Sequence, residues 1–126
     1  NTGIQGTLGS SLMSESSGIF TFPSTGVYEV SATGSFTGAS ENAMQLIIHG
    51  TADNSSYATL AIIFDGQRNT TATSGGSSGC TIVNITNTSL QKIKFAAGSL
   101  GSGSALNGDG DNNQTMFTFI RLGDNT

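Results

Sequence analysis

Between Val27 and Phe36 the chain alternates with a period of two. Tyr28, Val30, Ala32, Gly34 and Phe36 fall on one side of an extended backbone, and Glu29, Ser31, Thr33 and Ser35 on the other. Side chains change sides at every residue only in a strand, whereas a helix brings them back every third or fourth position. The segment therefore reads as a strand buried on one face and wet on the other. Composition argues against helix elsewhere: Gly, Ser, Thr and Asn make up half of the 126 residues, against 4 Lys and Arg and 8 Asp and Glu. Ser, Thr and Asn compete with helical backbone bonds, and Gly adds chain entropy that a helix must overcome.

Other short runs repeat the pattern. Met44 to His49, Leu60 to Phe64 and Met116 to Leu122 carry apolar groups on both faces, with Met44, Leu46 and Ile48 opposed by Ile47, and Phe117 and Phe119 opposed by Met116, Ile120 and Leu122. A strand with one face in water does not need this, so something is expected to cover the second face. Further strands are predicted at Ile19 to Phe22, stopped by Pro23, at Gly79 to Thr86, at Leu90 to Ala97 with Lys92 and Lys94 outward, and near Leu100 to Leu106. Residues 1–16, with Ile4, Leu8, Leu12 and Met13, are expected to form an extended segment or edge strand, and residues 17–126 the domain. Pro23 to Gly26, Gly50 to Ser56, Asp65 to Ser78 and Asn107 to Asn113 carry the Gly, Asn and Asp that turns use. Asp65 to Ser78, the longest, is expected to be exposed and mobile. About eight short strands with such turns predict an all-β sandwich or jelly roll.

Charge and residue inventory remove several functions. Arg68, Lys92, Lys94 and Arg121 are the only cations besides His49, too few to neutralise a row of phosphates, so no nucleic-acid partner is expected. The longest mainly apolar run, Ala58 to Phe64, is far short of the roughly 18–20 residues of a membrane helix, so no membrane insertion is expected. A chain opening on Asn1 without Met is expected to be a processed product. Cys80 is the single cysteine, which excludes an internal disulfide, and its apolar neighbours predict a buried thiol. His49 has no carboxylate neighbour in sequence and is read as a surface residue near a turn. No Ser lies in a nucleophile elbow, and the Gly-rich stretches lack the Lys and helix of a phosphate loop, so no enzyme and no catalytic residue is predicted.

From Phe20 the sequence reads Phe, five residues, Gly26, one residue, Tyr28, one residue, Val30. This spacing resembles the signature of the complement-1q-like globular head, a branch of the tumour necrosis factor-like jelly rolls, with Val30 in place of the last aromatic. The likeness spans roughly Ser17 to Gly123. It has a physical basis of its own: Gly26 permits a tight start to the strand, Tyr28 buries a ring with a polar tip, and Phe20 can pack beside it. The resemblance implies a jelly-roll sandwich of about eight to ten antiparallel strands that assembles as a homotrimer, with the sheet of the C-terminal strand facing the threefold axis. Met116, Phe117, Phe119, Ile120 and Leu122 would then divide between sandwich core and trimer interface. The Gly/Ser/Thr/Asn-rich texture is similar to that of complement-1q-like knobs on bacteriophage fibres and virion surfaces, or on spore filaments.

These readings imply a trimeric virion surface protein, a capsid decoration or fibre knob, that binds a capsid or fibre protein or a host surface glycan or protein without catalysis. The alternative is a secreted, extracellular ligand of the same fold, or a spore-surface filament head, binding a receptor protein. Partner contacts are expected on the loop residues Gln67, Arg68 and Asn69 and on Asp109 and Asp111. Asp109-Gly110-Asp111-Asn112-Asn113 alternates oxygen ligands as a calcium loop does, but Gln114 and Ile120 stand where an EF-hand needs Gly and Glu. Some relatives bind calcium near the trimer apex through loop acids, so Asp109 and Asp111 are also the candidate metal ligands; no other cofactor is expected.

Overall fold

The computed structural model describes residues 12–38, 41–67 and 71–125. Among them are nine strands and no helix: β1 (Ser14–Ser16), β2 (Ile19–Thr21), β3 (Gly26–Gly38), β4 (Glu41–Thr51), β5 (Tyr57–Gln67), β6 (Thr73–Ile85), β7 (Lys92–Gly98), β8 (Ala105–Asn107) and β9 (Met116–Gly123). All pairings are antiparallel. One sheet runs β1-β2-β7-β4-β5; in the other, β3 is flanked by β6 on one side and by β8 and β9 on the other. The chain folds as an all-β sandwich.

The alternation of β3 does what its sequence predicts, since Tyr28, Val30, Ala32, Gly34 and Phe36 are all buried. They meet Met44, Leu46 and Ile48 of β4, Ile63 of β5 and Ile93 of β7 in a single core. Tyr28 is 3% exposed, and its hydroxyl donates to the Ser24 carbonyl at 2.9 Å, so the ring is buried without orphaning the oxygen. Phe22, not Phe20, is its aromatic neighbour, at 4.7 Å between ring centres. Phe20 instead packs on Phe95 and Phe119. Pro23 follows directly on Phe22, the core anchor, so the strand ends one residue earlier than expected, at Thr21.

Two expectations fail together. The segment Asp65 to Ser78 is not a long loop: β5 continues to Gln67 and β6 begins at Thr73, with Thr73 to Ser78 paired to Gly38 through Thr33. A Cβ on Gly79 would lie 2.8 Å from Ile63 Cγ1 of β5, so that position has room for little more than backbone. Pairing to a strongly specified neighbour overrides the low strand propensity of Gly and Ser. Counting from that start places Cys80 on the outer face opposite Ser31, exposed where a buried thiol was expected.

The other boundaries shift by a few residues. β8 keeps only Ala105–Asn107 of the stretch near Leu100, and β4 runs past His49 to Thr51. Of the N-terminal segment, Ser14–Ser16 form an edge strand on β2 through a two-residue turn whose Ser17 and Gly18 both have positive φ, the combination that a type I′ hairpin uses. Met13 packs against the core. Ile4 and Leu8 lie outside the described residues.

Candidate interaction surface

Among the described residues, four large apolar side chains are uncovered on the outer face of β9-β3-β6. Because side chains alternate, Met116, Thr118, Ile120 and Leu122 of β9 point away from the core, in register with Thr33, Ser31, Glu29 and the start of β3. Across β3, Ile82 of β6 stands opposite Glu29 and Cys80 opposite Ser31. Ile120 is 48%, Leu122 55% and Ile82 56% exposed, with Met116 open as well. Phe119, on the inner side of β9, packs against the core. Phe117 stacks on Phe95 at 3.8 Å and remains partly open at the sandwich margin. The sequence-derived division of Met116 to Leu122 into two apolar faces thus appears in the fold. Ile82 extends the outer face by a strand, and its outward parity could be found only once the start of β6 was known.

A second apolar strip lies on the other sheet, where Ile62 and Phe64 of β5 are exposed beside Ile47 of β4. Nearby, Lys94 Nζ sits 4.1 Å above the Tyr57 ring, a cation–π contact the sequence did not signal. His49 lies inside β4, half-buried, with Nδ1 3.4 Å from the Thr59 hydroxyl. Between the sheets, at the side where β2 and β7 meet β8 and β9, a cavity of about 510 Å³ is lined by Phe20, Leu46, Phe95, Leu106 and Phe117, with Glu15 the one titratable group.

The described strand ends that flank the two candidate loops lie at one end of the sandwich. Gly38 pairs with Thr73 and Ser35 with Asn107, so the connection after Gln67 and the one after Asn107 both leave from the level where β3 finishes. Gln67 is the last residue of β5, its backbone paired with Glu41, and so belongs to a strand and not to a loop. Arg68 and Asn69 lie outside the described residues. In the 108–114 connection, Asp109 Oδ1 accepts the Asp111 N–H at 2.7 Å and the Asn112 N–H at 3.2 Å, and Oδ2 accepts from Gln114 Nε2. Those two N–H groups hold its carboxyl below the usual carboxylate range. Asp109 thus acts as the acceptor of an Asx turn. Among the described residues no three His, Cys, Asp or Glu converge to hold a metal ion. Thr115 ties the loop's far end down, donating to the Asn107 carbonyl and accepting the Ser35 N–H.

At the opposite end, Asp53 locks the β4–β5 turn. Its Oδ1 accepts the N–H groups of Ser56 at 2.7 Å and Ser55 at 2.9 Å and the Thr51 hydroxyl at 2.8 Å, which together hold the carboxyl well below the usual range. Compared with protein-family models and with curated proteins, the chain matches none.

Proposed function

We propose that this chain is a trimeric jelly-roll module of the complement-1q-like kind, displayed on a virion surface as a capsid decoration or fibre knob, that binds a partner surface through its loops. The observation that carries the reading is the uncovered apolar strip of Met116, Ile120, Leu122 and Ile82. Several large apolar side chains gathered in the open on one sheet face mark a contact surface. A closed ring of copies covers such a face in every member at once, which an open chain of contacts does not. The strand order supports the jelly-roll part. The path runs β2 in one sheet, β3 in the other, back for β4 and β5, across for β6, back for β7 and across again for β8 and β9, and a double Greek key would cross repeatedly in the same way. The C-terminal strand lies in the sheet that bears the apolar face, as the resemblance in residues Phe20, Gly26, Tyr28 and Val30 implies. The texture that suggested a virion also suits the loops: short, neutral side chains favour hydrogen bonding to a protein lattice or a glycan, with little salt dependence.

The test is mass in solution. Sedimentation equilibrium at micromolar concentration should give three times the chain mass, and Ile120→Asp should give the mass of one chain while keeping its β spectrum, since an unpaired carboxylate in that contact costs several kcal/mol. A wild-type monomer across the concentration range refutes the reading. For the partner, Ala at Gln67, Arg68 and Asn69, or at Asp109 and Asp111, should weaken attachment to the parent particle and leave the assembly intact. Normal attachment by both variants refutes the loop assignment.

A further inference from the structure

The apolar face has one charge in its middle. Glu29 stands on β3, the inner strand of the sheet, with Ile120 directly opposite on β9 and Ile82 directly opposite on β6. Opposed residues of adjacent strands hold their Cβ atoms about 5 Å apart, so the carboxylate rises between two isoleucines. It is half-buried already, and among the described residues it has neither a hydrogen-bond nor an ion-pair partner. Among the described residues nothing on the face offers a counter-charge: its other polar members beside Glu29 are Ser31, Thr33, Thr118, Ser78, Asn84 and the Cys80 thiol. The described cations lie elsewhere. Arg121 is committed to the Thr25 carbonyl and Asp124, and Lys92 and Lys94 belong to the other sheet, on Thr21 and Tyr57.

We propose that Glu29 gates self-association through this face, holding the assembly weaker than its apolar surface alone would make it by bringing like carboxylates of successive copies together. This rests on the assembly reading above and adds to it the residue that sets the affinity. A charge set inside an otherwise sticky sheet face is a device against indiscriminate pairing, because a wrong register buries the charge against apolar surface with no compensation. An arrangement that leaves the copies of Glu29 in a shared, hydrated space avoids that burial and keeps only their mutual repulsion. Like charges facing one another across an interface oppose association strongly enough to choose between partners.

Two measurements test it. Glu29→Gln keeps size and hydrogen-bonding shape, and its assembly should dissociate at a concentration at least about tenfold lower than wild type. Placed in a Met116→Asp background, where the new charge stands opposite Thr33 and four residues along β3 from Glu29, the same change should leave the melting temperature where Met116→Asp alone puts it, which separates an effect between copies from one within the chain. Second, Glu29→Lys mixed with wild type should form mixed assemblies in clear excess over the statistical ratio, read by native mass spectrometry. Equal dissociation of Glu29→Gln and wild type, or statistical mixing, overturns the gating role while the assembly stands. A wild-type chain that stays monomeric at every concentration overturns the assembly reading itself, and the gate with it.

Discussion

Gly26→Ala tests the join between the two ends of the domain. Gly26 has φ +147°, a backbone conformation that side-chain-bearing residues rarely adopt, and a Cβ there would lie 2.6 Å from the Gly123 carbonyl oxygen and 2.8 Å from Arg121 Nε. The first obstacle costs about 1–3 kcal/mol. The second is not relieved by turning a side chain, because the closest atom is backbone. The end of β9 must shift, and with it the two hydrogen bonds that Arg121 donates to the Thr25 carbonyl, at 3.3 and 3.1 Å. Such bonds contribute about 1 kcal/mol each. Together the loss is about 3 kcal/mol, which in a domain of this size lowers the melting temperature by roughly 12 °C. The assay is thermal unfolding by circular dichroism, beside a Gly110→Ala control. A Cβ on Gly110 meets nothing within 4 Å, and that variant should stay within about 0.5 kcal/mol of wild type. If Gly26→Ala melts with the control, the steric reading of the strand start is wrong.

Phe22→Ala should cost about 3–5 kcal/mol in urea unfolding, since Phe22 is almost wholly buried against Tyr28 and Phe119. A cost below about 1 kcal/mol would mean the site collapses around the gap. Asp53 supplies a pH test. Its carboxyl is lowered in the fold by the N–H groups of Ser56 and Ser55, so its stabilising effect is present above the ordinary carboxylate range near pH 4 and is lost as pH falls below it. Asp53→Asn should be less stable than wild type at neutral pH, with the gap in urea midpoint closing toward roughly pH 2, while the other carboxylates titrate alike in both chains. A gap that does not narrow on acidification would rule out the charge as the source.

The strands legible in the sequence are those where large apolar residues mark every second position. Val27 to Phe36 and Met44 to His49 are of that kind, and there the alternation states both the strand and its buried face. The first half of β6 has no such mark. Thr73 to Gly79 holds no apolar side chain, and its place in the sheet comes from its pairing with β3, while Ile63 of β5 leaves no room for a Cβ at Gly79. Local reading cannot contain that information, so the stretch reads as a loop in the sequence and Cys80 as a buried thiol, whereas the pairing with β3 puts the thiol on the outer face. The β1–β2 hairpin was legible in principle, since Ser17-Gly18 between two short runs suits a turn with positive φ. The apolar face of β9 was readable from its own two-sided pattern. Its continuation through Ile82, and Glu29 at its centre, needed the pairing of three strands that are distant in sequence.

The glycine and serine half of β6 also bears on how the molecule counts. In most strands large side chains act as teeth, and a pairing displaced by two residues is rejected because the teeth no longer mesh. From Thr73 to Ser78 there are no teeth, so the match to β3 is metered from the far end, where Val83 opposes Tyr28 and Ile85 opposes Gly26, and the remainder follows like an unmarked tape. Adding or removing a pair of small residues between Thr73 and Ser78 preserves which side each neighbour faces and feeds the change into the connection after Gln67, as long as Gly79 stays opposite Ala32, where a Cβ would meet Ile63 at 2.8 Å. The fold therefore carries a length adjuster whose zero mark is a single glycine.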